Sequence, residues 1–298
     1  MLRAKTLIHK AAMPIAVHAV RTFAAVSGGQ YSLEIHSDGS LTQMDFEELE
    51  RVGRGLAITR IEPGERDVIL APKVAAFPRC KNLFLRGGYM TKMAVLACKS
   101  GPFFYFDSDI VWLKPFCLTA IEGAEAVFST ETWSWYYGMR HPARWIARRV
   151  PRRINSGFAL HSGPFPFDRL EEGLAEGLFD ADHPWATDQE LLALLYPRCR
   201  IFSMSDFDRS RRGITYDLER LNAVALHFPG RMWKPHLAAV AAFQPDTSVS
   251  PRQVCNLGTK ALGPAEILPM KGVEIIETNP LLARAANAGR RWRAMLRK

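Results

Sequence analysis

The sequence predicts an α/β protein: a mostly parallel central sheet with helices on both faces. Three observations carry that reading. Strand-like and helical segments alternate along most of the chain, the rhythm of βαβ units. Phe103–Phe106 is apolar throughout, as a central strand covered on both faces must be. Gly, Pro, Ser and Asp clusters punctuate the segments at turn spacing.

Taken in order, Leu7, Ala11, Ile15, Ala19 and Phe23 recur at helical spacing and predict a helix over 5–26, ended by Gly28 and Gly29. Residues 31–36 alternate like a strand and run into the turn Ser37-Asp38-Gly39-Ser40. A short acidic helix is expected over 45–52, a second strand over 57–61 and a long helix over 82–98. After the apolar run come strand candidates at 126–129, 157–161 and 223–227, with helices at 170–178 and 188–195. One domain of 298 residues is expected, with a core of about 5–240 and an irregular extension over 241–298.

Apolar residues make up 48% and charged residues 23%, which excludes disordered and fibrous classes. No apolar run approaches the 18 residues of a spanning helix. The net charge of +9 is local. Arg140, Arg144, Arg148, Arg149, Arg152 and Arg153 form one basic block, and Arg284, Arg290, Arg291, Arg293, Arg297 and Lys298 another. The rest of the chain is near neutral, so a nucleic-acid coat is not indicated. The first block follows the aromatics Trp133, Trp135, Tyr136 and Tyr137, and the second has interfacial-helix composition around Trp292. Either block suits peripheral contact with an anionic membrane, and equally a solvated loop or a basic terminus. Five scattered cysteines without a C-x-x-C pair indicate buried thiols of a reducing cytoplasm rather than a zinc site or disulfide framework. Pro14, His18 and Arg21 interrupt the N-terminal apolar stretch and argue against a secretory signal.

The sharpest chemical feature is Phe103-Phe104-Tyr105-Phe106-Asp107-Ser108-Asp109. An apolar strand delivers two carboxylates to its C-terminal end, where open α/β sheets bind ligands. Asp107 and Asp109 can face one point and hold a hard divalent cation, or serve only as cap and turn residues. The second feature is His227-Phe228-Pro229-Gly230-Arg231-Met232-Trp233-Lys234-Pro235, which combines an imidazole ligand, a glycine permitting close backbone approach and a cation for phosphate. Taken alone, His227 reads first as a structural histidine, and Lys92 as a solvated helix charge.

These motifs resemble those of GT-A-fold glycosyltransferases, close to the retaining family 8 group that includes glycogenin and bacterial galactosyl- and glucosyltransferases. Asp107-Ser108-Asp109 resembles that family's D-x-D metal site, and His227 through Pro235 its H-x-x-G-x-x-K-P motif. Asn155-Ser156-Gly157 is similar to its N-S-G strand, Thr187-Asp188-Gln189 to its D-Q helix start, and the stretch 89–93 to the segment whose lysine reaches the donor. The resemblance implies Mn²⁺ or Mg²⁺ held by Asp107, Asp109 and His227 on the diphosphate of a nucleotide sugar, expected to be a UDP-sugar. Lys92, Ser108, Asn155, Ser156, Gly157, Gln189, Gly230 and Lys234 would bind the donor. Asp188 would meet the sugar hydroxyls and Lys234 the departing diphosphate. Transfer with retention is expected, to a glycan, lipid or protein acceptor.

One departure stands out. A first strand ahead of the helix placed at 5–26 normally supplies part of the base pocket, and that assignment leaves no room for it. The first strand is therefore expected to be missing, or to lie upstream of Met1. The absence favours a rival reading, a non-catalytic nucleotide-sugar-binding protein. The other rival is an inverting transferase with Asp188 as base.

Overall fold

The structure is a computed structural model that describes residues 2–98, 101–118, 124–130, 138–182, 188–203, 205–211, 213–254 and 256–261. Its first element corrects the sequence expectation: residues 2–8 are a strand, not the start of a helix. β1 (Leu2–Ile8) is followed by a 3-10 turn (Lys10–Ala12) and α1 (Met13–Val26). Pro14 falls in the first turn of α1, where its missing N–H is no loss, so the proline opens the helix. Leu7, which continues the apolar spacing of α1, belongs to β1.

The chain continues through β2 (Tyr31–Ser37), α2 (Gln43–Val52), β3 (Ala57–Ile61) and α3 (Pro63–Val74). The helix expected over 82–98 is two helices, α4 (Pro78–Phe84) and α5 (Tyr89–Ala97). Gly87 and Gly88 break it with φ of 72° and 56°, values that ordinary residues avoid. Then come β4 (Phe103–Phe106), β5 (Ile110–Trp112), β6 (Phe116–Cys117), β7 (Ala126–Thr130), α6 (Pro142–Ala147), β8 (Ile154–His161) and α7 (Phe167–Ala175). The last elements are α8 (Asp188–Leu195), β9 (Arg200–Phe202), β10 (Phe207–Arg209), β11 (Ala225–His227), α9 (Leu237–Ala242), β12 (Arg252–Gln253) and β13 (Asn256–Gly258). Residues 252–258 therefore build strands within the segment expected to be irregular.

The main sheet has the order β13-β9-β7-β8-β4-β1-β2-β3. β1 runs parallel to β2 and β4, and β2 to β3. β8 runs antiparallel to both β4 and β7, which makes the sheet mixed but mostly parallel. A small second sheet, β10-β11-β5, sets β11 antiparallel to β5 with His227 opposite Ile110.

Both faces of the main sheet are covered. On one, α1 and α2 pack over an aromatic cluster in which Phe23, Tyr31, Phe104, Phe106 and Trp112 meet at ring distances of 5.1–6.4 Å. On the other, α4, α5, α7 and α8 cover Phe103, Tyr105, Phe128 and Ala159. β4 alternates between these two cores, so all four of its residues are buried, each aromatic ring contributing about 2 kcal/mol of apolar burial.

The first basic block is largely paired within the fold. Arg140 meets Asp180, Arg144 meets Glu176 at 3.5 Å, and Arg148 meets Glu172 and Glu176 at 3.0 and 2.8 Å. Half of its arginines thus bind α6 and its flank to the acids in and just after α7. The aromatics at 133–137 and the whole tail beyond Ala261 lie outside the described residues.

Candidate functional site

β4 ends where its apolar side chains stop, and the chain turns sharply there. The Asp107 amide donates to the Gly157 carbonyl at 2.7 Å, and the Ile110 amide closes the turn on the Asp107 carbonyl at 3.2 Å. That turn carries Asp107, Ser108 and Asp109 at the carboxyl end of the parallel strands. The second sheet brings His227 to them: β11 lies on β5, and the Phe228 amide donates to the Asp109 carbonyl at 3.0 Å.

The His227 Nε2 atom lies 3.2 Å from Asp109 Oδ1 and 3.7 Å from Asp107 Oδ2. One ligand atom from each of the three residues falls within 4.8 Å of the others. Two donors about 2.1 Å from an octahedral ion sit about 3 Å apart, so this spacing suits a shared divalent cation. A second observation agrees: Asp109 Oδ1 is buried facing His227 Nε2, itself a candidate ligand, so that a cation shared by the two would satisfy both. Two carboxylates and one imidazole make a mixed oxygen and nitrogen set that suits a divalent cation and does not by itself choose which.

Lys92 is the largest departure from its bland expectation. A helix lysine is usually solvated, yet this one is 8% exposed. Its ammonium lies 2.8 Å from Asp107 and 3.1 Å from Asp188, and it donates to the Ser156 hydroxyl at 3.2 Å. Three stretches distant in sequence, α5, the β4 turn and the start of α8, thus meet at one charge. Burial alone lowers a lysine's pKa; here the two carboxylates outweigh it and hold Lys92 firmly protonated. Asp107 behaves in mirror image: burial raises its pKa, but Lys92 and His227 win and keep it ionised. No lysine of the described residues pairs with Asp109, and burial, aided by repulsion from Asp107, raises its pKa despite His227 and the more distant charge of Lys92.

Tyr105 is a site residue that the motifs did not single out. Its buried hydroxyl donates to Asp107 Oδ1 at 3.0 Å, the same oxygen that meets Lys92. The other Asp107 oxygen is left toward His227. Tyr105 stands two residues before Asp107 in an extended run, hence on the same side of the chain, and that spacing was the available signal. Ser129 was missed as well: its hydroxyl donates to the Asn155 backbone and side-chain oxygens at 3.0 and 3.2 Å.

Asn155, Ser156 and Gly157 lie on β8 beside this cluster. The Asn155 side-chain oxygen accepts from the Gly157 amide at 2.8 Å, which turns the segment inward. Gly157 has a packing role beside its expected donor role. A Cβ there would stand 2.4 Å from Cε1 and 2.8 Å from Nδ1 of the His227 ring. Gln189 is buried next to Asp188 at the start of α8, and Ser108 is buried in the turn.

Two expected residues stand apart. Gly230 is exposed with φ of 67°, so its conformation alone accounts for glycine. Lys234 is exposed on a 3-10 turn (Lys234–His236), with no ion pair to the carboxylates among the described residues. Thr187 lies outside the described residues. A narrow pocket beside the cluster is lined by Asn155 and His227 together with Thr130, Asp208 and Arg209.

No protein-family model and no curated protein sequence matches this chain. Solved structures do. The galactosyltransferase LgtC, in complex with donor and acceptor sugar analogues, is 13% identical with a TM-score of 0.51. The match covers 82% of this chain and 98% of LgtC. An active-site variant of LgtC matches with the same identity, coverage and TM-score. The bifunctional glycosyltransferase WbbM aligns over 82% of this chain and 50% of its own at 9% identity, TM-score 0.49. At such identity the likeness speaks for the fold, and the fold is that of the GT-A glycosyltransferases, with its first strand, β1, in place at the centre of the sheet.

Proposed function

We propose that this protein is a metal-dependent glycosyltransferase that moves a sugar, with retention, from a nucleotide-diphosphate sugar, a UDP-sugar, to a glycan, lipid or protein acceptor. The single observation that carries the reading is the convergence of Asp107, Asp109 and His227 at the carboxyl end of a GT-A sheet.

Asp107, Asp109 and His227 would hold the cation, Mn²⁺ or Mg²⁺. Bound there, the cation supplies positive charge that neutralises a diphosphate and makes it a better leaving group. The protein's own part is orientation and charge. Lys92 presents a permanent cation between Asp107 and Asp188 and can meet donor phosphate or sugar. Asn155, Ser156, Gly157 and Gln189 line the sugar's surroundings with fixed donors and acceptors, and Asp188 accepts from sugar hydroxyls. Ser108 and Gly230 offer backbone and hydroxyl contacts to phosphate. Lys234 would swing from its exposed turn onto the diphosphate as charge develops there.

Retention is supported by the state of Asp188. The carboxylate that an inverting enzyme would use as base is 4% exposed at its side chain and engaged by Lys92. A departing phosphate that assists the incoming hydroxyl needs no separate base. The non-catalytic reading rested on a missing first strand, and β1 removes that support. Cys80, Cys98 and Cys199 are buried thiols, which suits a cytoplasmic protein. No helix of the described residues is long and apolar enough to cross a membrane. The basic tail around Trp292 and the arginines at 140–153 would supply peripheral contact with an anionic membrane.

Calorimetry with UDP tests the reading. Binding that appears only with Mn²⁺ or Mg²⁺, and hydrolysis of a UDP-sugar in their presence, is expected. Absence of any nucleotide binding with either cation would overturn it.

A further inference from the structure

Lys5 is fully buried on β1, a central strand, where an aliphatic residue is the rule. Its ammonium donates to the Val95 carbonyl of α5 at 3.2 Å and sits 4.0 Å over the Phe103 ring. Val95 follows Lys92 by three residues, so the carbonyl that Lys5 grips lies on the helix turn that carries Lys92. In the sheet, Lys5 stands directly opposite Tyr105 of β4, whose hydroxyl holds Asp107. On its other side it stands opposite Glu34 of β2, which is also buried. Farther along α5, Lys73 donates to the Ala97 and Cys98 carbonyls at 3.3 and 2.5 Å. The C-terminal carbonyls of α5 are thus held by two lysines, at the helix end where positive charge is favoured.

Packing alone does not account for this choice. A methionine fills a similar volume with no charge to desolvate, and the buried Glu34 opposite has a second cation, Arg3, at 2.8 Å. What an ammonium adds is direction: it fixes one carbonyl of one helix against one strand.

We propose that Lys5 is a positioning residue for the site, holding α5 at the height and rotation that place Lys92 between Asp107 and Asp188. The inference rests on reading the cluster as a donor site, and its first test does not. Lys92 is protected from reagents by its burial and by the two carboxylates that keep it protonated, both of which depend on where α5 sits, so acylation of its amine, followed by peptide mass spectrometry on the metal-free protein, reports that placement. In Lys5→Met, Lys92 acylation should rise about fivefold or more. A comparison variant, Leu49→Ala, empties a core position on the opposite face of the sheet and should lower the thermal midpoint without exposing Lys92. An unchanged acylation rate in Lys5→Met, or an equal rise in Leu49→Ala, would overturn the proposal.

The second readout is hydrolysis of a UDP-sugar with Mn²⁺. Lys5→Met should lower kcat about tenfold while the donor KM stays within about twofold, since the donor still finds its metal but meets a misplaced cation. Equal losses in the two variants at matched stability would make Lys5 merely structural. If the native protein hydrolyses no UDP-sugar, the proposed function fails, and the acylation result still decides the role of Lys5. Should Lys5→Met not fold, Lys5→Gln, a shorter uncharged donor, carries the same expectations.

Discussion

At the scale of single residues, the site divides its two acids by environment. Asp107 is tied on one oxygen by Lys92 and Tyr105 and stays ionised; Asp109 is buried, and the charges of His227 and Lys92 do not offset that burial. Asp109→Ala should therefore abolish metal-dependent UDP binding while the thermal midpoint of the ligand-free protein stays level or rises slightly. Titration calorimetry with Mn²⁺ and a melting curve check both halves, and undiminished UDP affinity in the variant would remove Asp109 from the metal set. Gly157→Ala tests a different kind of constraint. Its Cβ would overlap the His227 ring, so either the ring or β8 must shift, at about 1–3 kcal/mol. We expect a lower melting temperature together with weaker Mn²⁺ retention. A variant that melts earlier yet binds metal normally would show that the ring, and with it the ligand geometry, had not been displaced.

At the scale of elements, the segment from β11 through the turn at Lys234 splits two jobs between residues seven positions apart. His227 is held against Asp109 by the β11–β5 ladder, whereas Lys234 is exposed beyond the glycine turn. His227→Ala should weaken metal retention, and excess Mn²⁺ should partly restore activity. Lys234→Ala should lower kcat roughly 10²–10³-fold, by analogy with losing one donor to developing charge, and no metal concentration should restore it. Single-turnover hydrolysis of a saturating UDP-sugar across a Mn²⁺ titration separates the two. Near-normal kcat in Lys234→Ala would mean that the exposed lysine never reaches the diphosphate.

At the scale of the whole molecule, acid should unfold the protein through histidines that the fold keeps neutral. Burial pushes the His161 imidazole down to about 3, with Lys5 adding to the effect. Burial likewise lowers His36 to about 4, with Lys5 and Arg66 reinforcing and Glu34 opposing. In the unfolded chain both take up a proton near the ordinary value of about 6.5. Their contribution is therefore complete above about pH 6.5 and declines as pH falls toward 4, by up to about 1.4 kcal/mol per pH unit for each histidine. Denaturant midpoints measured at pH 7.5, 6, 5 and 4 should fall steadily, and His161→Phe, if folded, should flatten the slope by one proton. A stability that stays level from pH 7 to 4 would contradict the neutral burial of both rings.

What was legible in the sequence was whatever local pattern and local chemistry determine. Phe103–Phe106 reads as a two-faced buried strand because no residue in it is polar enough to face water, and its burial is complete on both sides. Asp107 and Asp109 at its end, and His227 before a glycine turn, read as candidate ligands by residue type, and the β11–β5 ladder is what brings one atom of each within 4.8 Å. Element boundaries failed where one residue carried a misleading signal. Leu7 and Ala11 continue the helical spacing of α1 back into β1, and Lys5 within that strand is tolerable only because Val95 and Phe103, some ninety residues away, receive its ammonium. The break at Gly87-Gly88 was likewise hidden within an apolar run. The tertiary structure alone decided the rest: that Lys92 lies between Asp107 and Asp188, that Tyr105 occupies one oxygen of Asp107, and that Gly157 clears space for the His227 ring. The physical reason is range. Periodicity and turn chemistry act over a few residues, whereas a buried charge is settled by its opposite, which the fold brings from anywhere in the chain.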